Sequence, residues 1–184
     1  LDVKHFVVGI VSVLRSWKGH QYLIEAIKMA TEVIPNIRLL IVGDGPQKQN
    51  INQLINRLQL QDRIILTGHQ FDPAPFYKVM DVMVLPSYAG EATSQVLPQA
   101  MLMGKPVIST DTGGLSEVVI HNQTGLIVPT KNCSEIFHAI KILFEDDDLR
   151  NRLAKKGRAH ALKNFTFEQM IKTTEQVYQD VVGR

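Results

Sequence analysis

The sequence predicts an α/β domain: an open, doubly wound, mostly parallel sheet of about six strands, with helices on both faces and a helical carboxyl-terminal end. Two patterns predict it. Short β-branched apolar runs recur along the chain, and longer segments with apolar residues at helical spacing separate them. Strands that are apolar throughout must be covered on both faces, which helical crossovers between parallel strands achieve.

The strand-like runs are Phe6 to Val13, Arg38 to Val42, Arg63 to Thr67, Val82 to Leu85, Pro106 to Thr110 and Leu126 to Val128. Between the first two, Leu23, Ile27, Ala30 and Ile34 share one helix face. Ile51, Leu54, Ile55 and Leu58 do the same after the second strand, and Ile136, Ala139, Ile140 and Leu143 after the sixth. From Glu145 onward strands cease. Helical segments run through Leu162 and from Phe167 to Val182, the last with Ile171, Thr174, Tyr178 and Val181 on a face that needs a partner surface. In a sheet of this kind ligands bind beyond the carboxyl ends of the strands, so functional residues are sought just after each run.

The chain has 184 residues, 45% of them hydrophobic, enough to bury one sizeable core, and it reads as a single domain over residues 1–184. Its 20 basic and 18 acidic residues are mixed along the chain and leave a formal charge of +2. That is no basic field of the kind nucleic-acid binders use. The single cysteine, Cys133, cannot form an internal disulfide and reads as a small residue opening a helix, which fits a reducing, cytoplasmic compartment. No apolar run is long enough to span a membrane and no charged-then-apolar leader is present. Strand-like residues begin almost at Leu1, as expected of a piece of a longer protein.

After the first strand, Arg15 and Lys18 precede a helix that opens near Gly19. Free amides, the helix dipole and two cations together favour a phosphate there; read alone, they are equally a solvated pair. GDGP, Gly43 to Pro46, is a tight turn after the second strand. The glycine-rich fingerprint of dinucleotide binding belongs after the first strand, where Ser12, Val13 and Arg15 stand instead, so an NAD-dependent oxidoreductase loses its main support.

The stretch after the fourth strand, LPSYAGEATSQVLPQAM, carries the most information. Glu91 and Gln99 bracket a helix start, and Ser94, Gln95 and Val96 would present amides to a second anion. Two such nests suit a diphosphate, and a carboxylate beside them can accept hydrogen bonds from sugar hydroxyls; an exposed loop glutamate is the plainer alternative for Glu91. After the fifth strand, Gly113 and Gly114 would let a ligand approach closely. Gly68 and His69 follow the third strand, where His69 either lines a nucleobase pocket or is a surface histidine. Trp17 either covers the ligand or anchors its loop.

KGH, LLIVGDGP, LTGH, MDVMVLPS, EATSQVLPQAM, GKPVIST, TGGLSEVV and TGLIV occur in one order over nearly the whole chain. Together they resemble the carboxyl-terminal domain of GT-B-fold retaining glycosyltransferases of family four (group 1), a Rossmann-like fold. The resemblance implies that the domain binds a nucleotide sugar, with UDP, GDP and ADP all open, and needs no metal or other cofactor. It implies that an amino-terminal domain, absent from these residues, holds the acceptor, and that the last helix packs back on that domain. A lipid-linked or saccharide acceptor would place the enzyme in the cytoplasm, peripheral at the inner face of a membrane.

Residue by residue, the resemblance implies that Lys18 binds the diphosphate, Glu91 the sugar hydroxyls, and position 99 the ribose. Two positions depart from the family pattern. Ser12 and Val13 stand where it has Gly-Arg, leaving Arg15 to supply that charge, and Gln99 replaces its second glutamate. A non-catalytic nucleotide-binding module is the rival reading, and Glu91 separates the two. Asp146, Asp147 and Asp148 follow a helix and read as the acidic start of the next one. The six histidines show no paired ligand spacing, so no metal site is expected.

Overall fold

A computed structural model describes residue 2 and residues 4–183. Six strands form one sheet: β1 (Phe6–Val11), β2 (Ile37–Val42), β3 (Ile64–Leu66), β4 (Val82–Leu85), β5 (Val107–Thr110) and β6 (Leu126–Val128). Eight helices connect and follow them: α1 (His20–Ala30), α2 (Lys48–Arg57), α3 (Ala74–Val79), α4 (Val96–Leu102), α5 (Leu115–Val118), α6 (Cys133–Glu145), α7 (Asp147–Asn164) and α8 (Phe167–Val182). All strand pairs are parallel, in the order β3-β2-β1-β4-β5-β6. The predicted doubly wound architecture is therefore the observed one.

Strand alternation divides the core between the two faces. Val8, Ile10, Leu39, Ile41, Val82, Val84 and Ile108 meet α1, α2 and α6, while Val7, Leu40, Val42, Met83, Leu85 and Val107 meet the other face. Val8, Ile10, Val82 and Val84 are wholly buried, so β1 and β4 run through the centre of the molecule. Their pairing, Val8 with Val82 and Gly9 with Met83, joins the two halves of the sheet where the strand order reverses. The loops that leave these two strands therefore lie side by side at the carboxyl edge of the sheet, where open sheets of this kind bind ligands.

β1 ends two residues before the predicted Val13. The Ser12 amide still donates to the Val42 carbonyl, but Leu14 turns to donate to Asp44, which carries the chain out of the sheet. Pro106 lies just outside β5, yet its carbonyl accepts from the Met83 amide. α3 and α5, of six and four residues, were not predicted, because so few residues show no helical period. Asp146 caps α7 by accepting from the Leu149 amide at 2.8 Å, and Asp147 pairs with Arg150. The acidic run thus opens a helix, as expected. Cys133 begins α6 behind the capping residue Asn132.

α8 buries no residue, and Phe167, Met170, Val177, Tyr178 and Val181 lie open on it. No helix among the described residues is long and apolar enough to cross a membrane.

Candidate functional site

The loops after β1 and β4 are fastened to each other. Beyond Arg15 the chain makes a short 3-10 turn, Ser16–Lys18, and Gly19 leads into α1. A Cβ on Gly19 would lie 2.0 Å from the Pro86 carbonyl oxygen, so only glycine allows the two loops to meet there. The Tyr88 amide donates to the Trp17 carbonyl at 2.9 Å, and the Trp17 ring rests beside Gly90. Trp17 therefore anchors its loop.

At the centre of this junction the Lys18 ammonium meets Glu91 Oε1 at 2.6 Å. The glutamate side chain is 5% exposed and the lysine 19%, so the pair is nearly withdrawn from water. The fully buried Ser87 donates to the same Oε1 at 2.5 Å, and the Thr110 hydroxyl in turn donates to the Ser87 carbonyl. Glu91 is thus held from two sides. Sequence reasoning named Lys18 and Glu91 but missed Ser87 and Thr110, which carry no signal beyond lying at the ends of β4 and β5.

Gly113 and Gly114 lie against the Glu91 loop. A Cβ on Gly113 would fall 1.8 Å from the Glu91 carbonyl oxygen, and one on Gly114 would fall 2.1 Å from that of Ala92. The Gly114 amide donates to the Glu91 carbonyl at 3.4 Å. Here the missing side chains admit a neighbouring loop, where the sequence suggested a ligand.

α4 starts at Val96, with Gln95 as its N-cap and Ser94 buried before it. The amides of Ser94, Gln95 and Val96 find no acceptor among the described residues. One turn on, the exposed Gln99 accepts a hydrogen bond from the Tyr77 hydroxyl at 3.2 Å. Tyr77 is buried, and desolvation raises its pKa above the usual phenol value.

Gly68 and His69 stand farther along the sheet edge. The Gly43 amide donates to the Gly68 carbonyl at 2.9 Å, and His69 meets Phe71 edge-on at 5.1 Å between ring centres. His69 lines a cavity of about 190 Å³ over the ends of β1 and β2, with Ser12, Val13, Gly43 and Asp44. Asp44, which the sequence reading passed over, accepts from Lys48 and from the Gly45 amide, and these bonds hold its carboxyl below the usual range.

Arg15 lies outside the Lys18–Glu91 pair. Its guanidinium stacks 5.5 Å from the centre of the Trp17 ring and borders a groove between α1 and α2. No group of three or more His, Cys, Asp or Glu suited to a metal exists among the described residues.

Beneath the junction lies His20, 3% exposed, with Nε2 3.0 Å from the Ser12 hydroxyl. Burial pulls its pKa from 6.5 down to about 4; the Arg15 carbonyl opposes the shift without a geometry that satisfies Nδ1, and the Lys18 ammonium adds to it. The folded chain therefore holds His20 neutral while the unfolded chain protonates it below 6.5. Between these values the unfolded state binds more protons, so acid destabilises the fold, by about 3 kcal/mol once pH 4 is reached. Denaturant unfolding of wild type and His20→Asn at neutral pH and near pH 4 checks this. The variant should lose markedly less stability, and equal losses would mean that His20 is not held neutral.

A family model for glycosyl transferases group 1 matches residues 1–160. N-acetyl-alpha-D-glucosaminyl L-malate synthase of Bacillus anthracis is 32% identical over 94% of this chain and 45% of its own length. Alpha-D-kanosaminyltransferase of Streptomyces kanamyceticus is 31% identical over 82% of the chain and 39% of its own length. The chain thus spans less than half the length of these curated relatives. Among solved structures, Anabaena Alr3699/HepE in complex with UDP superposes with a TM-score of 0.88 at 27% identity, over 98% of this chain and 50% of that one. With its matched family model, its six-stranded parallel sheet and these relatives, the chain belongs to the glycosyl transferases group 1.

Proposed function

We propose that this chain is the donor-binding half of a retaining glycosyltransferase of family four, and that it holds a nucleoside-diphosphate sugar along the carboxyl edge of the sheet. The observation that carries the reading is the Lys18–Glu91 pair at the junction of β1 and β4, beside the open amides at the start of α4. Those groups supply what a diphosphate ester requires: a cation and amides for the phosphates, and a fixed carboxylate for sugar hydroxyls.

As the bond from the anomeric carbon to the phosphate oxygen breaks, negative charge grows on the departing diphosphate. Lys18 and the amides of Ser94 to Val96 stabilise it from preset positions. Gln99 faces the ribose, and the cavity beside Gly68 and His69 receives the base. Arg15, turned onto Trp17, is left out of this phosphate site. The similar HepE is described with UDP and with UDP-glucose, which supports a uridine nucleotide as the first donor to test. An amino-terminal domain outside these residues would hold the acceptor and cover α8. We place the enzyme in the cytoplasm, at the inner membrane face when its acceptor is lipid-linked.

Titration with UDP, GDP, ADP and their glucose esters tests this reading. One nucleoside diphosphate should bind well above its bare nucleoside. Glu91→Gln should then weaken the sugar ester by about tenfold and leave the free diphosphate as tight or tighter, because only the ester brings hydroxyls to that carboxylate. Equal losses for both ligands would favour the non-catalytic nucleotide-binding module.

A further inference from the structure

The groove between α1 and α2 encloses about 470 Å³, within the size range of small-molecule sites. Neither Lys18 nor Glu91 lines it. Its walls are polar for a cleft between two helices. α1 contributes Gln21 and Glu25, α2 contributes Asn50 and Gln53, and two guanidiniums border it: Arg15 on the loop and Arg57, the last residue of α2. Neither arginine has a carboxylate within ion-pairing distance among the described residues.

His20 also borders the groove, 3% exposed, with its Nδ1 buried beside the Arg15 carbonyl.

The lining selects the class of ligand. Side-chain amides donate and accept, and Glu25 accepts, which is the complement of a polyol. The unpaired guanidiniums call for an oxyanion, for which their planar fork suits phosphate. A single carboxylate is too little for a metal ion. No Phe, Tyr or Trp lines the groove, so it offers a base no broad stacking platform.

We propose that the α1–α2 groove is a second ligand site, which takes a small polyhydroxylated phosphate ester such as a hexose phosphate. Arg57 holds the phosphate, and Glu25 with the amides of Asn50 and Gln53 holds the hydroxyls. The site is separate from the donor cleft and does not depend on the donor reading.

Isothermal titration of the chain with glucose 6-phosphate, glucose and inorganic phosphate tests the proposal. Saturable binding of the ester, tighter than either fragment, is the expected result. Arg57→Ala should weaken it by about ten- to a hundredfold. Asn50→Ala, which removes one of the amides assigned to the hydroxyls, should weaken it as well. Both positions are exposed, so neither change should disturb folding. No saturable binding of the ester, or binding unchanged in both variants, would overturn the proposal.

Discussion

Replacing Lys18 by alanine should weaken nucleoside-diphosphate binding by about ten- to a hundredfold while hardly touching the bare nucleoside, since a charged hydrogen bond is worth about 1.5–3 kcal/mol. The structure adds a second consequence. Glu91 is 5% exposed and its carboxylate is answered by Lys18 and Ser87, so the variant leaves a nearly buried charge with one hydroxyl partner. Removing one member of a buried pair costs about 3–5 kcal/mol. Lys18→Ala should therefore also be less stable, and the double variant Lys18→Ala with Glu91→Gln should recover part of the loss. Ligand titrations and denaturant unfolding of the single and double variants measure both effects. Equal weakening for nucleoside and diphosphate would place Lys18 away from the phosphates.

The second large effect is expected at Gly113. Its φ is +55°, so alanine there meets a left-handed backbone at about 1 kcal/mol, and its Cβ would sit 1.8 Å from the Glu91 carbonyl oxygen. A backbone carbonyl does not yield as a flexible side chain does, so the Glu91 loop must move. The expected loss is about 3 kcal/mol, or a Tm lower by roughly 6–12 °C. Gly104 is the control: its φ is +71°, and a Cβ there meets nothing within 4 Å. Gly104→Ala should cost the torsional part alone. Thermal melts of the two variants that fall together would show that the Gly113 contact relaxes at little cost.

All six strands were legible because strands covered by helices are mostly apolar, and polar or charged side chains enter them only at Arg38, Ser109 and Thr110. The ends were less so. β1 closes at Val11, short of Val13, because Leu14 reaches across to Asp44, a bond between loops that local pattern does not encode. In the candidate site, residue type pointed to Lys18 and Glu91, yet their pairing across 73 residues follows from the register of β1 with β4. Ser87 and Thr110 matter only through bonds made after folding, and neither residue is rare enough at a strand end to stand out. Arg15 shows another limit: it is a cation of the expected type three residues from Lys18, and its guanidinium stacks on Trp17.

Because Lys18 and Glu91 are in contact, each carries the other's counterion, and from a distance the pair is a dipole instead of a charge. A dipole's field dies away faster than that of a free ammonium, and salt shortens its reach further. A dianion approaching the proposed donor site would therefore feel little pull from this lysine until almost docked. Such a site would discriminate at close range, by fit, and the weak +2 charge of this chain would add little long-range steering.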